Sequence, residues 1–90
     1  MVTVTPRAMM VLQYLLKERD ISPDKGFRLI PDPMDGFSLL VSDLRPGDQV
    51  VEHEGWMVLL VGADIASRVD GASVDAYDTM DGPALKFNYH

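Results

Sequence analysis

After Arg19 the chain loses its helical period and does not regain it over any length. From there to its end it is a series of short apolar or alternating runs, each cut off by Gly, Pro or Asp. Such runs are too short for helices and too closely punctuated for βαβ units, so they restrict most of the chain to short strands joined by tight turns. The one clear helical stretch precedes them. Thr5-Pro6 opens it: a threonine cap accepts a hydrogen bond from an orphan N–H, and proline at the first helical position has no N–H to leave unpaired. Ala8, Val11, Leu12, Leu15 and Leu16 then fall on one stripe, and Ser22-Pro23 discourages continuation. The spacing predicts a helix over 6–19.

The strands are read in order. Val2 and Val4 alternate with Thr3 and Thr5. Phe27 to Ile30 follows, closed by the turn-forming stretch 31–36. Phe37, Leu39 and Val41 form the next alternation, and Arg45-Pro46-Gly47-Asp48 reads as a turn. Gln49 to His53 and Trp56 to Val61 flank Glu54-Gly55, a hairpin signature. Asp64 to Ser67 has room for one helical turn and Asp70-Gly71 for a tight one. Ala72, Val74 and Ala76 alternate, and a last strand spans 84–89 with Leu85, Phe87 and Tyr89 on one face. One helix and six or seven strands make an α+β domain: an N-terminal helix packed on a mostly antiparallel small β-sandwich or barrel-like sheet. With 90 residues and no linker or repeat, 1–90 is read as a single domain. The loops at 31–36 and 78–83 are expected to be its flexible places.

Net charge is −6, and the eight basic residues are scattered. Nucleic acids and anionic lipid are recognised by clustered Lys and Arg, so neither is an expected partner. There is no signal-peptide pattern at the N-terminus and no apolar run near the roughly 20 residues of a membrane helix, so the cytoplasm is the default location. The count of cysteines is zero, which removes disulfides, thiol nucleophiles and thiolate metal sites together.

The remaining chemistry-bearing residues give no catalytic pattern. No P-loop or dinucleotide fingerprint is present. His53 lies mid-strand between Glu52 and Glu54, and His90 is the final residue; the ordinary reading of each is a solvated surface histidine. Asp75, Asp78 and Asp81, with Asp64 and Asp70, could form an acidic face, yet their spacing does not match a calcium loop, and solubility is the simpler account. Asp32 and Asp35 bracket a turn, where aspartate commonly caps its own backbone. Trp56 reads as a packing anchor. Met9, Met10, Met34, Met57 and Met80 are too dispersed for a soft-metal site and read as core filling or partial exposure.

Several strings, taken in order, resemble the HesB-like domain, the A-type iron–sulfur carrier family. Val2-Thr3-Val4-Thr5-Pro6 and the amphipathic helix are similar to that family's opening. Gly26-Phe27-Arg28-Leu29 resembles its Gly-x-Arg-Leu strand, and Asp48 to Gly55 followed by Val58 to Val61 its Asp-x-Val-x-Glu-x-x-Gly hairpin. Val69-Asp70-Gly71 with Val74-Asp75 resembles its Leu-Asp-Gly signature, and Gly82 to Phe87 its last strand. The resemblance implies a non-enzymatic domain that binds iron or an iron–sulfur cluster, in dimers or tetramers, through three cysteines. The first cysteine position falls at about Met34, in Met34-Asp35-Gly36, and the Cys-x-Cys pair of the family's tail would lie past His90. Clusters need thiolates. Met34, Asp35 and His90 are therefore the only substitute ligands the pattern offers, and weak ones. The expectation is a cysteine-less, degenerate member with no cofactor and no catalytic residue, acting through a protein partner. Open sheet edges also admit a homo-oligomer. Two alternatives stand beside it: metal binding by Asp32, Asp35, His53 or His90, and a small-molecule site in the loops near Met34 and Asp81.

Overall fold

The computed structural model describes residues 1–32 and 36–88. Strand β1 (Thr3–Val4) leads into helix α1 (Pro6–Glu18), followed by β2 (Lys25–Pro31), β3 (Phe37–Asp43), β4 (Gln49–His53), β5 (Trp56–Val61), β6 (Ser73–Thr79) and β7 (Gly82–Asn88). Thr5 caps the helix as its sequence suggests: its Oγ1 accepts from the Ala8 N–H at 3.2 Å, with Pro6 at the first turn. Arg19 is the C-cap, one residue beyond the last helical position.

The strands form two sheets. One has the order β1-β6-β7 and the other β3-β2-β5-β4. The hairpins β2–β3, β4–β5 and β6–β7 are antiparallel, whereas β1–β6 and β2–β5 are parallel. The pairing is mostly antiparallel, as the sequence reading expects, with two short parallel contacts of two residue pairs each added to it. Antiparallel neighbours announce themselves through a shared turn. The parallel pairs Val4↔Val74 and Phe27↔Leu59 join segments far apart in the chain and have no local signature.

The core lies between the sheets and under the helix. Ala8, Leu12 and Leu16 of α1 meet Phe27 and Leu29 of β2, Val58 and Val61 of β5, and Val4, Val74 and Ala76 of the other sheet. Ile65, Val69 and Ala72 close one end. The segment after β5 holds that end through turns rather than a full helix: the N–H groups of Arg68 and Val69 both donate to the Ile65 carbonyl.

Two glycines of this framework are forced. In Gly26 a Cβ would collide with the Met57 backbone carbonyl, so only glycine allows β2 to approach β5 so closely. Gly55 sits at φ 83° after Glu54 at φ 52°, two successive positive values that turn the β4–β5 hairpin.

The 78–83 stretch departs from its expectation as a flexible loop. Asp78↔Pro83 and Thr79↔Gly82 are paired, leaving Met80-Asp81 as a two-residue turn. The Thr79 hydroxyl clamps it by donating to the Gly82 carbonyl at 2.6 Å. Pro83 is tolerated because β7 is an edge strand.

Candidate functional site

The three substitute ligands, Met34, Asp35 and His90, lie outside the described residues, as does Tyr89 on the expected last-strand face. Their flanks are described and converge. The Asp32 N–H donates to the Gly36 carbonyl at 2.8 Å, closing the base of the β2–β3 connection. Phe37, the first residue of β3, stacks on Phe87 near the end of β7, with ring centroids 4.7 Å apart and planes 26° from parallel. This contact joins the two sheets. It brings the position after Gly36 and the position before Asn88 to the same end of the molecule.

The other candidate ligands are dispersed. His53 is half-buried, with its Nε2 4.0 Å from the Glu54 carboxylate, which follows it at a positive φ. Glu54 also accepts from Gln13 Nε2 at 2.9 Å; this bond, then the nearby imidazole, draws its carboxyl below the usual range. Asp75 accepts from the Ala76 N–H at 2.8 Å and the Thr5 hydroxyl at 2.9 Å, and these bonds hold its carboxyl low. Asp78 pairs with Arg7, and Asp70 with the Met1 amine. Asp75 and Asp78 both lie near enough to Arg7 to raise its pKa, and each is already engaged, so they are held against that cation rather than left as an open acidic site. Among the described residues no three His, Asp or Glu side chains are placed to hold one ion. Trp56 is half-buried against the core with Lys17 Nζ 5.9 Å from its ring centroid, the anchor its sequence context suggested.

The most elaborate polar constellation was not read from the sequence. Arg28, 4% exposed, lies on the outer side of β2 and donates to both carboxylate oxygens of Asp48, at 2.8 and 2.6 Å. Its Nε donates to Ser42 Oγ at 3.0 Å, and a terminal nitrogen to the Asp43 carbonyl at the same distance. Asp48 receives a further bond from the Arg45 N–H at 2.7 Å. The bidentate bond holds the Asp48 carboxyl below, and the Arg28 guanidinium above, their ordinary ranges, against the opposing effect of burial. Gly62 leaves room for the group: a Cβ there would lie 2.5 Å from Asp64 Oδ1 and 3.3 Å from an Arg28 nitrogen. Four of the five guanidinium N–H groups are engaged by these bonds, and the group is almost wholly enclosed. The constellation therefore fastens the β4 entrance to the β2–β3 hairpin and offers no chemistry to a substrate. A cue was present in the two strings containing Arg28 and Asp48, but neither says that they meet.

Among the described residues, two shallow concavities stand out. The first, about 390 Å³, is apolar and runs along the outer face of α1 between Arg7, Met10, Val11, Tyr14 and Pro83. Met10 and Tyr14 there are exposed; Met80, in the β6–β7 turn, is exposed as well. The second, about 440 Å³, is lined by Asp75, Ala76, Tyr77 and Lys86. No helix of the described residues is long and apolar enough to cross a membrane.

No protein-family model matches the chain, and no curated protein aligns with it significantly. Solved structures do. It superposes on Escherichia coli SufA, involved in biosynthesis of iron–sulfur clusters, with a TM-score of 0.78 and 26% identity over 97% of this chain and 83% of that one. The fold is HesB-like. IscA with a [2Fe-2S] cluster gives a TM-score of 0.69 at 21% identity over 98% of this chain and 84% of that one. A protein from Aquifex aeolicus solved in solution gives 0.63 at 20% over 99% and 91%. The strings that suggested a HesB-like domain mostly serve the framework: Gly26 for strand approach, Arg28 and Asp48 for the buried pair, Gly55 for the hairpin and Asp75 for the helix entry. A HesB-like framework is thus retained in a chain of 90 residues with no cysteine.

Proposed function

We propose that this chain is a non-enzymatic HesB-like domain, related to the iron–sulfur assembly proteins, that works by contact with a protein partner rather than by holding a cluster on its own side chains. The observation carrying this reading is the pairing of a whole-chain SufA-like fold with a complete absence of cysteine. A cluster is held by thiolate sulfur, and the donors available here are carboxylates, imidazoles and thioethers. Among the described carboxylates, Asp48, Asp78, Asp75 and Glu54 are already engaged with Arg28, Arg7, Thr5 and Gln13. What the outer face of α1 offers a partner, together with Pro83 of β7, is an apolar strip with Met10 and Tyr14 exposed, the composition of a contact surface.

The test compares proteins captured by the unmodified chain with those captured by a Met10→Asp/Tyr14→Asp variant, after both are shown to unfold alike. A specific protein retained by the first and lost by the second supports the reading. Capture of chaperones alone, or identical capture by both, counts against it.

A further inference from the structure

The strip along α1 has a charge pattern of its own. Its floor is apolar: Met10, Val11 and Tyr14 follow one side of the helix, with Pro83 of β7 beside them. At one end stands Arg7, already paired with Asp78 and with Asp75 close by. At the other end stands Glu18, one turn past Tyr14, whose hydroxyl donates to its carboxylate. Lys17 and Arg19 flank Glu18 in sequence but serve the other sheet: their charged groups lie 5.9 Å from the ring centroids of Trp56 on β5 and Phe27 on β2. The groove is therefore an apolar floor rimmed by three carboxylates and one paired cation.

Its length and neighbours select the occupant. From Arg7 to Glu18 is roughly 16 Å of helix, about three turns. The adjoining edge of β7 is guarded by Pro83 and Lys86, so addition of an extended segment there is discouraged. A helix laid along α1 needs no edge. It sets the apolar residues of one face into the strip and brings the ends of that face to Glu18 and Asp78. Opposite charges attract across an interface and like charges are penalised, so those ends are matched by Lys or Arg. A second copy of this chain, at net charge −6, brings the wrong sign.

We infer that the α1 groove takes an amphipathic helix of a partner protein whose apolar stripe is flanked by Lys or Arg. This rests on the protein-contact reading above and adds the chemistry of the partner. The probes are three fluorophore-labelled helical peptides of about 15 residues, roughly 22 Å long. The first has Leu at i, i+3, i+4 and i+7 with Lys flanking the stripe; the second replaces each Lys with Glu; the third is a scramble of the first that scatters its leucines. Followed by fluorescence anisotropy at low salt, the Lys peptide is expected to bind the unmodified chain at least about ten times more tightly than either of the others. Glu18→Lys/Asp78→Lys changes two exposed positions, keeps the apolar floor and reverses the rim. Once its circular dichroism is shown to match that of the unmodified chain, it should prefer the Glu peptide. Equal binding of the Lys peptide and its scramble, a Glu peptide that binds the unmodified chain as well, or an order unmoved by the reversal would each overturn the inference. So would a dimer of the chain alone, seen by sedimentation equilibrium and abolished by Met10→Asp, since the strip would then belong to a second copy. The underlying reading is scored separately by the capture experiment. A specific protein lost from Met10→Asp/Tyr14→Asp, while the Lys peptide shows no preference, would leave protein contact standing and defeat the basic helix alone.

Discussion

Replacing Asp48 with alanine removes both bonds to Arg28 and the acceptor for the Arg45 N–H, and leaves a guanidinium on a residue 4% exposed bonded to Ser42 and the Asp43 carbonyl, with Asp64 nearby. Breaking one side of a buried ion pair costs about 3–5 kcal/mol, because the orphaned charge stays out of water. Asp64, which adds to the positive character of Arg28 from nearby, offsets part of this and argues for the lower end, about 3 kcal/mol. A domain of this size has a total stability of roughly 5–10 kcal/mol, so the loss is a third or more of it. The midpoint of thermal unfolding should fall by roughly 12–24 °C. Urea unfolding followed by Trp56 fluorescence reads it directly, since Trp56 is the chain's single tryptophan and is half-buried. Asp48→Asn, which keeps the shape and one acceptor, should lose less. Replacing both partners with apolar residues of similar volume should recover most of the loss. A change below about 1 kcal/mol in Asp48→Ala would refute the claim that this pair fastens β4 to the β2–β3 hairpin.

Acid should act through the same pair. The folded-state pKa of Asp48 is depressed, so its contribution is fully present above the unfolded value of 3.8 and is lost as pH falls through the folded one; Asp48→Asn should flatten the acid limb of a stability–pH curve. Gly26→Ala should destabilise by about 1–3 kcal/mol, since its Cβ meets the Met57 carbonyl and the strands must part, whereas Gly55→Ala, with open space but a φ of 83°, should cost about 1–2 kcal/mol in the same urea assay. Thr5→Ala removes the helix cap and a bond to Asp75 and should cost about 1 kcal/mol or slightly more.

What could be read from the sequence followed short-range physics. The α1 start, the Glu54-Gly55 hairpin and the strand alternations each depend on residues within a few positions. The Arg28–Asp48 pair was illegible for the opposite reason. Arginine within Phe27-Arg28-Leu29-Ile30 looks like an outward strand residue, and Asp48 like an ordinary turn residue, until β5 and the loop at 62–64 close over them. The parallel pairs were hidden in the same way. The 78–83 hairpin was misjudged because Pro and Gly were read as loop formers, whereas Pro83 occupies an edge and Gly82, at φ 113°, supports a two-residue turn. At the candidate site, Met34, Asp35 and His90 came from the resemblance alone. The structure adds the Phe37–Phe87 stack, which brings the flanks of those segments to one end of the fold.

The central claim is a HesB-like framework whose own side chains do not hold a cluster. The most direct test is anaerobic reconstitution with ferrous iron and sulfide, followed by desalting, iron and sulfide determination per chain, and a visible spectrum. The expected result is no stoichiometric iron or sulfide and a colourless protein. Stoichiometric, coloured binding would contradict the account, and loss of that colour on replacing Asp35 or His90 would show that non-thiolate groups had assumed the role.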